Sequence, residues 1–254
     1  MATKCGKAGY PETRVVHDRD FSPLIIAVYE KQNQELSEAW WLVALASWFG
    51  KSETTGWGLV QAIYSQFNLG QLWTWEAVAK DPGSFGHWLT ENQAMLKSAG
   101  KLGPRYKQPS FDRHQAERSQ EMLCRFINWW KFMQVDIIRN AARTAEIPPG
   151  ALFRVNFSYL FAENGIDHLF YYRLLTLGGL VGLADMEPDR PFLTNGSVYK
   201  KAVRHLFQQK CAKDVPIKEL SVSLCELADW LAIPFALPVL EEAITAWYLA
   251  HLKG

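Results

Sequence analysis

From residue 38 to residue 49 the chain reads EAWWLVALASWF, with apolar side chains on nearly every face of a helix. A surface helix keeps one polar face, so this one is expected at the centre of a core. The turn GKSETTG (50–56) follows, and Thr54 or Thr55 stands where it could cap a second helix running to about Phe67. Asn68, Leu69 and Gly70 stop that helix. A further helix is expected from Trp73 to Lys80, Asp81-Pro82-Gly83 breaks the chain, and another helix runs from Phe85 to about Ser98.

Residues 100–112, rich in Gly, Pro and Lys, read as a loop, and 115–145 carry the longest helical pattern. EIPPG (146–150) ends it, because proline cannot continue a helix. The last third predicts helices near 152–162, from about Asp167 to Val181, from Ser197 to Lys210, near 216–232 and near 238–252. No pair of runs alternates apolar and polar residues as paired strands do. The fold class is therefore all-α, with about ten helices. Residues 1–20 form an N-terminal arm, and 21–254 form one domain whose two lobes divide near 146–150.

Composition narrows the function classes. The formal net charge is only +1, so any nucleic-acid binding must use a local basic face. The eleven Trp supply area for a core or for stacking surfaces. Cys5, Cys124, Cys211 and Cys225 are scattered without CxxC spacing, so they read as free thiols and not as a metal site. The six His show no HxxxH pattern, and GxSxG, Walker and GxGxxG loops are missing. Neither a metal nor a cofactor is expected. The first twenty residues have no apolar signal core, and no run approaches the ~18 apolar residues that span a bilayer. A cytoplasmic protein without a membrane partner is the expectation.

Three places carry candidate chemistry. The first is the turn at Glu163, Asn164 and Gly165, with His168 just beyond it. Gly165 permits a tight reversal, and the helix that follows would aim free N–H groups at an anion. An ordinary helical hairpin has the same pattern. The second is RPFLTNGSVYKKAVRHL (190–206), a proline loop with Asn195 at a turn and Ser197 as a cap. In the helix behind it, Lys200, Lys201 and Arg204 are spaced so that two of them share a face able to neutralise phosphates, or simply a solvated surface. The third is the turn bearing Lys51, Ser52, Thr54 and Thr55, flanked by Trp48 and Trp57, which could stack on a base. Trp40, Trp41 and Trp48 fit a core better than a site.

Four stretches resemble the helix–hairpin–helix DNA glycosylase superfamily: WLVALASWFGKSETT (41–55), FAENGIDH (161–168), PFLTNGSVYKKAV (191–203) and LCELADWLAIPFALPVLEEAITAW (224–247). The resemblance implies a protein that flips a damaged or modified base out of duplex DNA and excises it, acting as a monomer. It implies a wedge at Lys51–Thr55, a base pocket at Trp48 and Trp57, and phosphate contacts at Glu163, Asn164, Gly165, His168, Lys200, Lys201 and Arg204. The chain departs from the family pattern at the catalytic Asp, which falls on Asn195. A carboxylate there would stabilise positive charge growing on the sugar; an amide can only hydrogen-bond. Asp185 and Asp189 are the alternative carboxylates, and a protein that binds without cleaving is the other outcome. Two rival readings stand beside this one. One is a non-enzymatic helical protein-interaction module. The other is a glycan-cleaving enzyme using Glu53, which precedes GWGLVQ (56–61) and is similar there to lysozyme-like transglycosylases.

Overall fold

The computed structural model describes residues 21–100, 121, 123–133, 137, 147–161, 168–193, 197–208 and 215–252. The regular elements among them are helices, with no strand among the described residues, as the all-α pattern implies. The chain divides into two compact units, Met1–Gln134 and Val135–Gly254. No single helix among the described residues is long and apolar enough to cross a membrane.

In the first unit α1 (Pro23–Gln32) packs on α2 (Leu36–Phe49). Every residue of α2 from Ala39 to Phe49 is buried except Trp48, which is half-buried. Trp40 and Trp41 are fully enclosed, so they belong to the core. Residues 123–133 form a helix, α7, whose Trp130 meets Trp40 edge-on at 5.7 Å and whose Phe126 meets Trp48 at 5.3 Å. Between α2 and α7 lie α3 (Gly58–Tyr64), α4 (Trp75–Lys80), α5 (Pro82–Glu91) and α6 (Gln93–Ala99) in chain order.

Four boundaries differ from the sequence pattern, each for a local reason. Thr54 and Thr55 do not cap α3, whose side-chain cap is missing at Trp57. The hydroxyl of Ser52 accepts from both threonine amides instead, closing a turn before the helix starts. The second helix stops at Tyr64, short of Phe67, because Gln66, Phe67 and Asn68 take φ of 47°, 58° and 66°. Each such left-handed L-residue costs about 1–2 kcal/mol. The stretch from Phe85 to Ser98 is two helices meeting at Asn92, and the first of them starts earlier, at Pro82, where Asp81 caps it through Ser84 N. Trp73 lies outside α4; Thr74 caps that helix by accepting from Ala77 N.

The second unit holds α8 (Pro149–Phe161), α9 (His168–Leu180), α10 (Val198–Gln208), α11 (Ile217–Leu231) and α12 (Ala236–His251). Pro149 therefore opens a helix, a position where its missing N–H costs nothing. Tyr199, Ala202 and Val203 of α10 pack with Leu220 and Leu224 of α11 and Leu240 and Ile244 of α12 in one apolar cluster. A strap, residues 181–193, runs from α9 toward α10. Gly179 seats its beginning: a Cβ there would lie 1.9 Å from the Met186 carbonyl oxygen.

Candidate functional site

Within the first unit, the turn at 51–56 is closed on itself. Ser52 N donates to Gly56 O at 2.8 Å, and Gly56 N donates back to Ser52 O at 3.0 Å. Ser52 is buried, while Lys51, Glu53, Thr54 and Thr55 are exposed. The amides of Thr54 and Thr55 are already satisfied by Ser52 Oγ, both at 3.3 Å, and the Thr54 hydroxyl lies 3.2 Å from the same oxygen, so the exposed Lys51 ammonium is the donor that the turn presents. Trp48 and Trp57 on either side are half-buried.

A second loop of this unit, between Tyr64 and Trp75, is held at both roots by one carboxylate. Glu38, at the start of α2, accepts from Tyr64 Oη at 2.8 Å through Oε1 and from Trp75 N at 2.6 Å through Oε2. The roots are also joined by Trp73 N to Tyr64 O at 2.8 Å, and Trp41 Nε1 donates to Trp73 O at 2.6 Å. Burial pushes the Glu38 carboxyl up to about 7; Glu30 and Glu35 add to the rise, and the two hydrogen bonds only partly offset it. Inside this clasp sit the three left-handed residues. Phe67 lies against Trp88 at 5.6 Å, Trp88 against Trp73 at 6.1 Å, and Trp73 against Phe85 at 5.2 Å. Beyond the rings the tip, Asn68 to Gln71, is exposed, with Leu69 74% accessible. The sequence marks this stretch only as a helix stop at Asn68, Leu69 and Gly70. An isolated acid at the mouth of an apolar helix was the only available signal for Glu38.

In the second unit the strap is tethered along its length. Met186 Sδ receives Asn156 Nδ2 at 3.3 Å, Glu187 Oε1 accepts from Phe235 N at 2.6 Å, Asp189 pairs with Arg154 at 2.7 Å, and Arg190 O accepts from Tyr172 Oη at 3.3 Å. Phe192 stacks on Tyr172 at 5.0 Å. Burial drives the Tyr172 hydroxyl well above its ordinary range. Of the two alternative carboxylates, Asp185 is exposed, and Asp189 is half-buried and committed to Arg154.

Asn195 itself lies outside the described residues, as do Glu163, Asn164 and Gly165. The strap leads up to Asn195, and just past it Ser197 Oγ accepts from Lys200 N at 3.1 Å, the cap that the sequence pattern implies. His168 opens α9 and is half-buried. The three cations of α10 do not form one solvated face: Lys200 is buried, Lys201 exposed and Arg204 half-buried. Among the described residues, Arg204 Nε and His205 Nε2 have no hydrogen-bond partner, and both atoms are buried. The His205 ring sits among Trp247, Tyr248 and His251 at 5.7, 5.4 and 5.7 Å. Among the described residues, no group of three or more His, Cys, Asp or Glu side chains is placed to hold a metal ion.

No curated protein and no solved structure matches this chain. One family model does, described as alpha-glutamyl/putrescinyl thymine pyrophosphorylase clade 3, over residues 7–250. That span takes in both units, from the N-terminal arm to the last turn of α12. The chain belongs to this clade, a family named for a modified thymine base.

Proposed function

We propose that this protein acts on a modified thymine within duplex DNA, reaching the base by flipping it out of the stack. The observation that carries the reading is the family match over residues 7–250. The family name joins three chemical parts: thymine, an α-glutamyl or putrescinyl group, and pyrophosphate. One exchange connects them. An amine nitrogen attacks the carbon on the thymine methyl position; the C–N bond forms as the C–O bond to pyrophosphate breaks, and the ammonium proton goes to solvent or a nearby base. An atom buried in the stack is out of reach for such a step, which is why enzymes that modify bases extrude them.

This chemistry also makes sense of Asn195. The reaction alters the base and must leave its N-glycosidic bond intact. A carboxylate under the sugar would favour the opposite, because it stabilises the positive charge that grows as that bond breaks. The resemblance to helix–hairpin–helix glycosylases supports the flipping geometry, and the neutral amide at the catalytic position supports retention of the bond. Excision of the modified base is the finer alternative.

The test uses duplex DNA with one thymine pyrophosphorylated at its methyl carbon, incubated with the protein and putrescine. The expected result is pyrophosphate release with a matching gain of the amine on the base. Release of the whole base, leaving an abasic site, supports excision instead. No change in the DNA, with no salt-dependent binding, removes the DNA reading, since phosphate contacts make affinity fall steeply with salt. Asn195→Asp is expected to introduce some abasic-site formation into a protein that otherwise makes none.

A further inference from the structure

The loop between Tyr64 and Trp75 is closed against three opposing terms. Gln66, Phe67 and Asn68, none of them glycine, stand in succession in the left-handed region, with φ of 47°, 58° and 66°. Strain of this kind persists only where the surroundings enforce it. The indole Nε1 of Trp73 is buried, and among the described residues it has no hydrogen-bond partner. The Glu38 carboxyl that bridges the roots is largely withdrawn from water, and Glu30 and Glu35 repel its charge. Opening relieves all three: the turn relaxes, the indole N–H reaches water and the carboxyl is hydrated. Against this stand a few short contacts. Trp73 N donates to Tyr64 O and Asn68 N to Ser65 O, both at 2.8 Å, Phe67 lies on Trp88, and Glu38 ties Tyr64 Oη to Trp75 N.

We propose that this loop is a pH-sensitive gate with Glu38 as its latch, closed while the carboxyl is protonated and opening as it ionises. The protonated carboxyl holds both roots without carrying charge. Its Oε2 accepts from Trp75 N, and a proton on Oε1 is within reach of Tyr64 Oη, 2.8 Å away. The ionised carboxylate accepts at both oxygens, but those bonds offset only part of its desolvation and of the repulsion. The groups acting on it come from each neighbouring helix: Glu30 from α1, Tyr64 from α3 and the Trp75 amide from α4, with Glu35 just ahead of α2. The other charges of α1 and α4, Lys31, Glu76 and Lys80, are exposed, so water screens them. In the closed loop the proton is kept up to about 7, whereas a hydrated carboxyl releases it at 4.5. The ratio of open to closed loop therefore rises about tenfold per pH unit between those values and levels off above, roughly three-hundredfold in all. Opening uncovers Trp73 and Trp88, the rings behind Phe67. The gate belongs to the first unit and does not rest on the DNA reading.

The experiment follows amide hydrogen exchange of the full chain from pH 5 to pH 8, as protection relative to the intrinsic rate at each pH, in peptides covering 65–75 and 39–49. Protection of the loop is expected to fall about tenfold per pH unit up to about 7 and then to level off. Sub-denaturing urea should leave exchange in the loop unchanged while raising it in α2, because a local opening exposes little surface. Glu38→Gln is expected to abolish the pH dependence. Tyr64→Phe, which removes one root bond and leaves the carboxyl, is expected to lower loop protection and keep the pH dependence. The series on the unaltered protein decides the matter even if a variant fails to fold. Loop protection that does not change with pH overturns the proposal. So does loop exchange with the urea dependence of α2, since the loop would then open only with the whole unit.

Discussion

The loop between Tyr64 and Trp75 and the strap at 181–193 solve the same problem differently. Each is an irregular segment between helices, held by side chains from elsewhere in its own unit. The strap spreads its anchorage over Asn156, Phe235, Arg154 and Tyr172, and its described residues other than Gly182 avoid the left-handed region. The loop gathers its anchorage at its roots, where the Glu38 carboxylate stands beside the Trp73 N to Tyr64 O bond, and stores strain in three successive residues. Distributed tethers make a segment tolerant of losing any one of them, because the others keep the geometry. A strained turn whose one side-chain bridge between the roots is a carboxylate makes the segment sensitive to that side chain and to its state of protonation.

The sharpest way to break the strap is at its seat and not at its tethers. Gly179→Ala would put a methyl group 1.9 Å from the Met186 carbonyl oxygen, which is a backbone atom. Overpacking that no side-chain rotation can relieve is expected to lower stability by about 3 kcal/mol, read from urea denaturation midpoints. A loss under about 1 kcal/mol would mean the strap shifts freely, and the contrast with the loop would fail.

The loop is expected to answer to pH. The Glu38 carboxyl is held up at about 7 in the fold against an ordinary value of 4.5. The folded state therefore keeps its proton more tightly than the unfolded chain does. Stability from this group is fully present below 4.5 and is lost as pH rises through about 7, with a total on the order of 3 kcal/mol. Glu38→Gln has no proton to lose, so its stability should fall less between pH 5 and pH 8 than that of the unaltered protein. Parallel pH profiles for the two proteins would show that the carboxyl titrates as an ordinary surface acid.

How much of this was legible in the sequence follows from the kind of interaction involved. Helix α2 was, because an apolar run without a polar face has one stable place, and Ala39 to Phe49 occupy it. The Ser197 cap was, because capping is local, needing only a hydroxyl three residues ahead of the amide it accepts from. The left-handed turn was not. Gln66, Phe67 and Asn68 carry no glycine or proline to announce it, and the contacts that hold it come from distant positions, Glu38 and Trp88 among them. The same holds for Asp189, which the chain marks only as an acid before a proline loop; its pairing with Arg154 comes from the helix on the other side of α9. Burial of Lys200 was hidden too, since helical spacing says which residues share a face but not which face is covered.

The smallest expected effect tests the other half of the comparison. The Arg154–Asp189 pair is short, at 2.7 Å, but its side chains are 51% and 29% exposed, so water and salt screen it. Pairs of this kind contribute about 0.2–1 kcal/mol. Asp189→Asn keeps the side-chain volume and one hydrogen-bond acceptor toward Arg154. The strap also keeps its ties from Tyr172 to Arg190 O and from Phe235 N to Glu187. The expected loss is therefore about 1 kcal/mol or less, and it should shrink in 1 M salt, where the screening length falls to about 3 Å. A larger loss that salt does not change would identify Asp189 as a buried keystone of the strap, and the strap's anchorage would then be as concentrated as that of the loop.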